Sequence, residues 1–159
     1  MNQDAISVIV DSIVKQIKTQ DLDDMTLGVA KRLIEKVEQK ARDMGMRIVV
    51  AVSNKAGHPV AVECMDGAYI ASYDIALNKA FTVVALKMPT VQLKPLAQPG
   101  APLYGIQFTN NGKIVIFGGG VPLRNKSGEI IGGLGVSGGT EEQDTDLANY
   151  GEAVFHDCL

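Results

Sequence analysis

The sequence of 159 residues contains no tryptophan, and aromatic residues make up only 5% of it. Recognition by stacking on aromatic rings therefore has few residues to use. Only two cysteines are present, Cys64 and Cys158, and neither has CxxC or metal-ligand spacing, so no disulfide framework is expected. The sequence shows no basic-then-apolar leader and no long apolar run. These absences predict a protein of the reducing cytoplasm that does not span a membrane.

The charged residues also exclude a class of partner. The formal net charge is −3, and lysine and arginine are scattered among the acidic residues, so nucleic acid is not an expected ligand. Hydrophobic residues make up 46% and charged residues 21%, which is typical of a globular domain. A chain of this length predicts one domain with a sizeable core.

The first segment has the apolar spacing of an amphipathic helix. Its stripe consists of Ile6, Ile9, Val10, Ile13, Val14 and Ile17. The polar residues 19–24 that follow predict a turn or linker. We therefore expect a separable helix over residues 1–20 and a domain over residues 21–159.

The domain begins with patterns for a helix and a hairpin. Thr26 predicts an N-cap and Gly45 a stop for the first domain helix. Two β-branched runs joined at 54–59 predict a hairpin, with Gly57 at positive φ. Ser72 is then expected to cap a third helix that ends before Pro89.

The second half predicts strands and a last helix. Residues 90–112 contain three prolines and few periodic apolar positions, so we expect a long irregular connection. Residues 113–117 predict a strand, followed by a glycine turn, a short strand and a further strand after a turn at 126–128. Thr140 and Gln143 predict a capping box for the final helix. This order indicates an α+β fold with a mainly antiparallel sheet.

Four motifs together resemble the GlcG/HbpS-like family, which includes the C-terminal domain of PduO-type proteins. They are MDGA at 65–68, ALNKA at 76–80, GGGVPL at 118–123 and GGLGVSGGTEEQD at 132–144. The resemblance extends from about Thr26 to about Gly151. It implies a profilin-like antiparallel sheet of about five strands flanked by helices, a homo-oligomer, and binding of haem or another tetrapyrrole such as a cobalamin-type corrinoid.

The N-terminal helix lies outside that family resemblance. It is similar to the encapsulation peptides that direct cargo into bacterial microcompartments. That resemblance implies shell or cargo proteins as partners and a place inside such a compartment. The alternative is that the stripe packs on the domain's own core or on an oligomer interface.

The expected ligand site lies at the family motifs. Its candidate residues are Met65, Asp66, Lys79, Gly119, Gly120, Gly138, Gly139 and Thr140. The glycines serve either close passage of the backbone or anion binding by free amides at a helix N-terminus. Lys79 lies among apolar positions of its helix, so it is either a structural partner of Asp66 or Asp144 or a counter-charge for an acidic ligand. For Asp66 itself, an Asx-turn is a sufficient explanation.

No iron ligand can be assigned from the sequence. His58 lies in the hairpin turn and His156 near the C-terminus, and Cys64, Met65, Tyr69 and Tyr104 are other possible ligands. Walker, nucleophile-elbow, HExxH and dinucleotide-binding motifs are absent. The leading hypothesis is a ligand-binding accessory protein. The alternatives are an enzyme of haem degradation or small-metabolite conversion, and a structural oligomer that scaffolds partner enzymes.

Overall fold

The computed structural model describes residues 5–12 and 21–159. Residues 5–12 are helical, here α1, and every side chain in this range is exposed. The predicted stripe residues Ile13, Val14 and Ile17 lie outside the described residues. No helix in the described part of the chain is both long and apolar enough to cross a membrane.

The domain is built on one antiparallel sheet. Its strands are β1 (Val49–Asn54), β2 (Pro59–Cys64), β3 (Gly120–Arg124) and β4 (Ile130–Ser137), in the order β2-β1-β4-β3. The predicted hairpin is confirmed as β1 and β2, with Gly57 at φ +77°. Within the described residues the sheet has four strands rather than about five. The profilin-like arrangement stays a prediction.

Two helices cover one face of the sheet. They are α2 (Leu27–Asp43) and α5 (Glu141–Val154), which contact each other and close the main core over Val50, Val52 and Leu134. The predicted N-cap of α2 is confirmed, because Thr26 accepts a hydrogen bond from the Val29 amide. The predicted capping box of α5 is confirmed as well. Local sequence signals therefore determine where both helices begin.

The opposite face of the sheet is covered by α3 (Ala71–Leu86), which packs on Val49 and Ala51 through Ala76 and Ala80. The approach is close because β4 turns glycines toward this helix. A side chain at Gly133 or Gly135 would collide with helix carbonyl oxygens. Small residues on both sides therefore set the spacing between helix and sheet.

The predicted cap of α3 is wrong. Ile70 is the N-cap residue, without a side-chain capping bond, and Ser72 lies buried inside the first turn. There the Ser72 hydroxyl contacts the Ser137 hydroxyl of β4 at 3.1 Å instead of a backbone amide. A tertiary contact has replaced the local capping role.

The connection between α3 and β3 also differs from the prediction. Residues 90–112 are not wholly irregular, since α4 (Thr90–Leu96) is held by the buried side chains of Thr90 and Leu93, and two short 3-10 turns follow. The strand predicted over residues 113–117 does not form. Its backbone is bound by a side chain, because the Val115 amide donates to the Thr82 hydroxyl at 3.0 Å.

Residues 21–25 form a strap, so named here, that crosses the two hairpin turns at one end of the sheet. The Asp21 carboxylate accepts hydrogen bonds from the Ser127 hydroxyl and from two amides of the β3–β4 turn. Asp24 accepts from the Lys55 amide of the β1–β2 turn at 2.9 Å. Met25 is buried and its amide donates to Ile131. The polar stretch predicted as a linker is thus part of the domain from residue 21 onward.

Candidate functional site

An ion pair between Lys79 of α3 and Asp144 of α5 lies at the centre of the family motifs. Lys79 has no exposed surface, and its Nζ donates to Asp144 Oδ2 at 3.0 Å and to the Val136 carbonyl at 2.7 Å. The Phe117 ring centroid lies 4.9 Å from Nζ, which favours the cation. Of the arrangements predicted for Lys79, the pair with Asp144 is the one found. Its part in ligand binding stays a prediction.

Burial acts against both charges of this pair. Desolvation lowers the pKa of Lys79 and raises the pKa of Asp144, while the attraction between the two groups opposes both shifts. The carboxylate has a donor at each oxygen, since the Gly139 amide donates to Asp144 Oδ1 at 2.8 Å. These charge-assisted contacts are the geometry of an ionised pair.

Gly119 and Gly120 lie where the backbone passes the ion pair. Gly119 has φ +110°, and a Cβ atom there would come within 2.5 Å of Lys79 Nζ. The Gly120 amide donates to the Thr90 hydroxyl at 2.9 Å, and a Cβ atom at Gly120 would lie 2.9 Å from Thr90 Cγ2. Close passage of the backbone therefore accounts for both glycines.

The amides predicted to hold an anion already donate to carboxylates and side chains of the chain itself. The Gly118 amide donates to Glu141 Oε1 at 2.9 Å, and the Gly139 amide donates to Asp144. Thr140 completes the capping box, and Gly138 precedes it at the end of β4. Anion binding by these amides is thus opposed by first-turn carboxylates that occupy the same donors.

Met65 and Asp66 do not lie at the ion pair. They line a separate pocket of about 590 Å³ beside the end of β2, here called the Cys64 pocket. Its lining includes Glu38, Arg42, Arg47, Cys64, Met65 and Asp66. Arg47 Nη1 donates to the Asp66 carbonyl at 3.0 Å, and Arg42 pairs with Glu38 at 3.4 Å. Burial, with the neighbouring Glu63 carboxylate, raises the pKa of Glu38. The structure therefore divides the predicted ligand residues between two places.

The other predicted iron ligands are dispersed. His58 lies exposed in the β1–β2 turn and His156 exposed in the C-terminal 3-10 turn, and neither lines the Cys64 pocket. Tyr69 and Tyr104 are also exposed. Across the described residues, no group of three or more histidine, cysteine or acidic side chains could hold a metal ion. Both cysteines are free, as predicted.

Sequence reasoning missed three residues of these sites. Phe117, which covers Lys79, belongs to the segment mistaken for a strand, and its position directly before the three glycines was the available signal. Arg42 and Arg47 flank the end of α2 and were not among the candidate residues. Nothing in their local sequence indicates that they line one pocket with Met65.

Comparison with known proteins identifies relatives of the whole domain. The family described as Haem degrading protein HbpS-like matches residues 25–153. A 15.0 kDa protein of the dhaT-dhaS intergenic region of Citrobacter freundii is 44% identical over 82% of this chain and 92% of its own length. The corrinoid adenosyltransferase PduO of Salmonella typhimurium is 39% identical over 74% of this chain and 35% of its own length. The chain thus spans about a third of PduO.

Solved structures have the same fold. Protein ORFY of Klebsiella pneumoniae superposes with a TM-score of 0.82 at 40% identity, covering 87% of this chain and 95% of that one. The PduOC:heme complex gives a TM-score of 0.78 at 36% identity, covering 82% and 94%. HbpS of Streptomyces reticuli, as a double mutant, gives 0.75 at 31% identity, covering 86% and 89%. This chain therefore belongs to the HbpS-like family, as its four motifs predict.

Proposed function

We propose that this protein is a small-ligand-binding accessory protein that takes up haem or another tetrapyrrole such as a corrinoid. The observation that carries the proposal is the similarity to the PduOC:heme complex, which covers 94% of that chain at 36% identity. The haem of that complex belongs to that protein, and the residues that would serve here have to be judged on their own chemistry.

The donors of the Cys64 pocket fit haem. Cys64 is exposed and Met65 is half-buried, and thiolate and thioether are both established axial ligands of haem iron. Arg42 and Arg47 are the two basic residues of the same pocket and can pair with propionate carboxylates, although they share the lining with the acidic Glu38, Glu63 and Asp66. Its volume of about 590 Å³ lies within the range of about 300–1,000 Å³ usual for cofactor and drug-sized ligands.

In this proposal the chain binds and orients the group. Cys64 or Met65 holds the metal, while the guanidinium groups of Arg42 and Arg47 fix the ring by its acidic side chains. The Arg42–Glu38 contact at 3.4 Å is loose enough to exchange for a propionate. When bound, haem itself would supply redox and oxygen chemistry.

Titration of the purified full chain with haemin tests the proposal. We expect a saturable Soret band whose position changes in Cys64→Ala or Met65→Leu, with affinity reduced at least about tenfold. His58→Ala is the matched control, because His58 is exposed and outside the pocket. A parallel titration with cobalamin separates a preference for corrinoids. A wild-type chain without a saturable band for either ligand would contradict the proposal. A band lost only in His58→Ala would move the ligand site to the hairpin turn.

The description of the matching family favours a second candidate, an enzyme that degrades haem. The haem-loaded chain distinguishes the two when it is incubated in air with ascorbate and with catalase to remove peroxide. A binding protein keeps its Soret band. An enzyme converts the band to the absorption of an open-chain tetrapyrrole.

We also infer a homo-oligomer that is associated with a bacterial microcompartment. Exposed apolar side chains support assembly, because Tyr69, Ile70 and Tyr73 lie together at the start of α3. The exposed Ile6, Ile9 and Val10 of α1 support a helix that docks on shell or cargo proteins.

A further inference from the structure

A second pocket, of about 260 Å³, opens next to the buried ion pair, and we call it the Tyr69 pocket. Its lining includes Tyr69, Ser72, Ile75, Phe117, Ser137 and Asp144. Tyr69 and Phe117 are partly exposed, at 73% and 37%, whereas Ser72, Ser137 and Asp144 are each at most 4% exposed. Apolar walls above a buried polar floor are the usual composition of a small-molecule site.

The floor has a hydrogen-bond donor without an acceptor. The hydroxyl oxygens of Ser72 and Ser137 are 3.1 Å apart, and only one of their two hydrogens can lie between them. Within the described part of the chain, neither hydroxyl has another hydrogen-bond partner. Because both serines are more than nine-tenths buried, the second hydrogen needs an acceptor, and a ligand in the adjoining pocket can supply one.

The charges around the pocket are paired. Asp144 is neutralised by Lys79, and Glu141 at the rim is paired with Lys94. A carboxylate ligand would meet two acidic side chains, and the charges that would attract an ammonium ligand are already neutralised by Lys79 and Lys94. Asp144 accepts from Lys79 and from the backbone amides of Gly138 and Gly139, and a carboxylate with about four acceptor sites can also accept from a ligand hydroxyl.

We propose that the Tyr69 pocket binds a small, uncharged organic molecule that carries a hydroxyl group. The hydroxyl accepts from the serine pair and donates to Asp144, and the apolar part of the molecule packs on Ile75 and Phe117. A volume of about 260 Å³ is below the range of about 300–1,000 Å³ for cofactor-sized ligands, so this site does not serve a tetrapyrrole. The inference goes beyond the proposed haem function and does not rest on it.

Amide shifts in nuclear magnetic resonance spectra of the full chain test this proposal, with cyclohexanol as the neutral probe. Cyclohexanecarboxylate and cyclohexylammonium are the charged comparators of equal size. We expect saturable shifts at Gly138 and Gly139, which line the pocket, with cyclohexanol alone. Ser72→Ala should weaken this binding about fivefold, as expected for one neutral hydrogen bond.

Two aromatic substitutions locate the binding. Ala71 lines the pocket and is exposed, so Ala71→Trp should fill the mouth without disturbing the core and abolish the shifts. Leu27→Trp is the matched control, because Leu27 is 58% exposed on α2, which covers the other face of the sheet, and lies outside the lining, so this variant should bind as the wild type does. The proposal is overturned by absence of saturable shifts with cyclohexanol, by equal affinity for the carboxylate, or by unchanged binding in Ala71→Trp. Haemin titration of the same samples reports separately on the Cys64 pocket.

Discussion

At the scale of single residues, the buried Lys79–Asp144 pair has a structural consequence. Lys79→Ala leaves the Asp144 carboxylate buried without a counter-charge, with the backbone amides of Gly138 and Gly139 as its remaining partners. We expect the free energy of unfolding to fall by about 3–5 kcal/mol, measured by urea denaturation.

A surface ion pair supplies the control for that measurement. Lys94 and Glu141 are partly exposed, so Lys94→Ala should cost less than about 1 kcal/mol. The double variant Lys79→Met with Asp144→Leu removes both charges and should recover much of the loss. If Lys79→Ala and Lys94→Ala were equally stable, the buried pair would not stabilise the contact of α3 with β4 and α5.

The sequence could name Lys79 as a buried residue but could not choose its partner. Its helix position among apolar residues predicted burial, and Asp144 was one of two acidic candidates. The two residues are 65 positions apart, and they meet because the first turn of α5 follows the end of β4, the strand on which α3 packs. Such pairings depend on topology, which local patterns do not encode.

At the scale of elements, local chemistry predicted α2, the hairpin and α5, whose capping groups lie within a few residues of each end. Prediction failed where a side chain distant in sequence forms the hydrogen bonds that a neighbouring strand would otherwise form with the backbone. The segment 113–117 has strand-like composition, yet Thr82 of α3 binds its backbone on both sides of Ile114. The helix α4 was missed for another reason. Leu93 is its one buried apolar residue, and a single apolar position gives no periodic pattern to detect.

The strap predicts where the chain can be shortened. A chain of residues 21–159 keeps the hydrogen bonds of Asp21 and Asp24 and should melt close to the full chain. A chain that begins at Thr26 loses these contacts and the buried Met25 side chain, so its melting temperature should fall by roughly 5–10 °C in calorimetry. Equal melting of the two truncated chains would show that the strap adds no stability.

Acid provides an independent check on the strap. The hydrogen bond from the Ser127 hydroxyl, with those from neighbouring amides, lowers the pKa of Asp21 below its usual value. A group with a lowered pKa stabilises the fold above its unfolded-state pKa of about 4, and this contribution is lost as the pH falls through the lowered value. Asp21→Asn should remove this part of the pH dependence and leave the rest.

At the scale of the whole molecule, α1 presents apolar side chains that no described contact covers. Ile9→Asp should abolish co-purification with microcompartment shells, because an unpaired charge cannot be buried in a docking groove. Ser7→Asp changes the polar face of the same helix and should leave co-purification intact. The segment 1–20 fused to a reporter should redirect the reporter to the compartment.

The opposite outcome would assign α1 to the domain. If deletion of residues 1–20 lowered the melting temperature by many degrees or made the chain insoluble, the apolar stripe of this segment would pack on the core of the domain or on an oligomer interface. Retention of Ile9→Asp with the shells would also contradict a docking role.

The glycines of β4 that face α3 have a consequence for how ligand preference can diverge. A methyl group at Gly133 or Gly135 would collide with carbonyl oxygens of α3. Substitution of these two glycines therefore cannot enlarge or reshape the space between α3 and β4. Neither pocket described here is lined by Gly133 or Gly135, and both lie at the ends of strands and helices. Residues such as Cys64 and Ala71 can therefore be exchanged without repacking the interior. Ligand preference can therefore change through substitutions at the pocket margins while the packing of α3 on β4 stays the same.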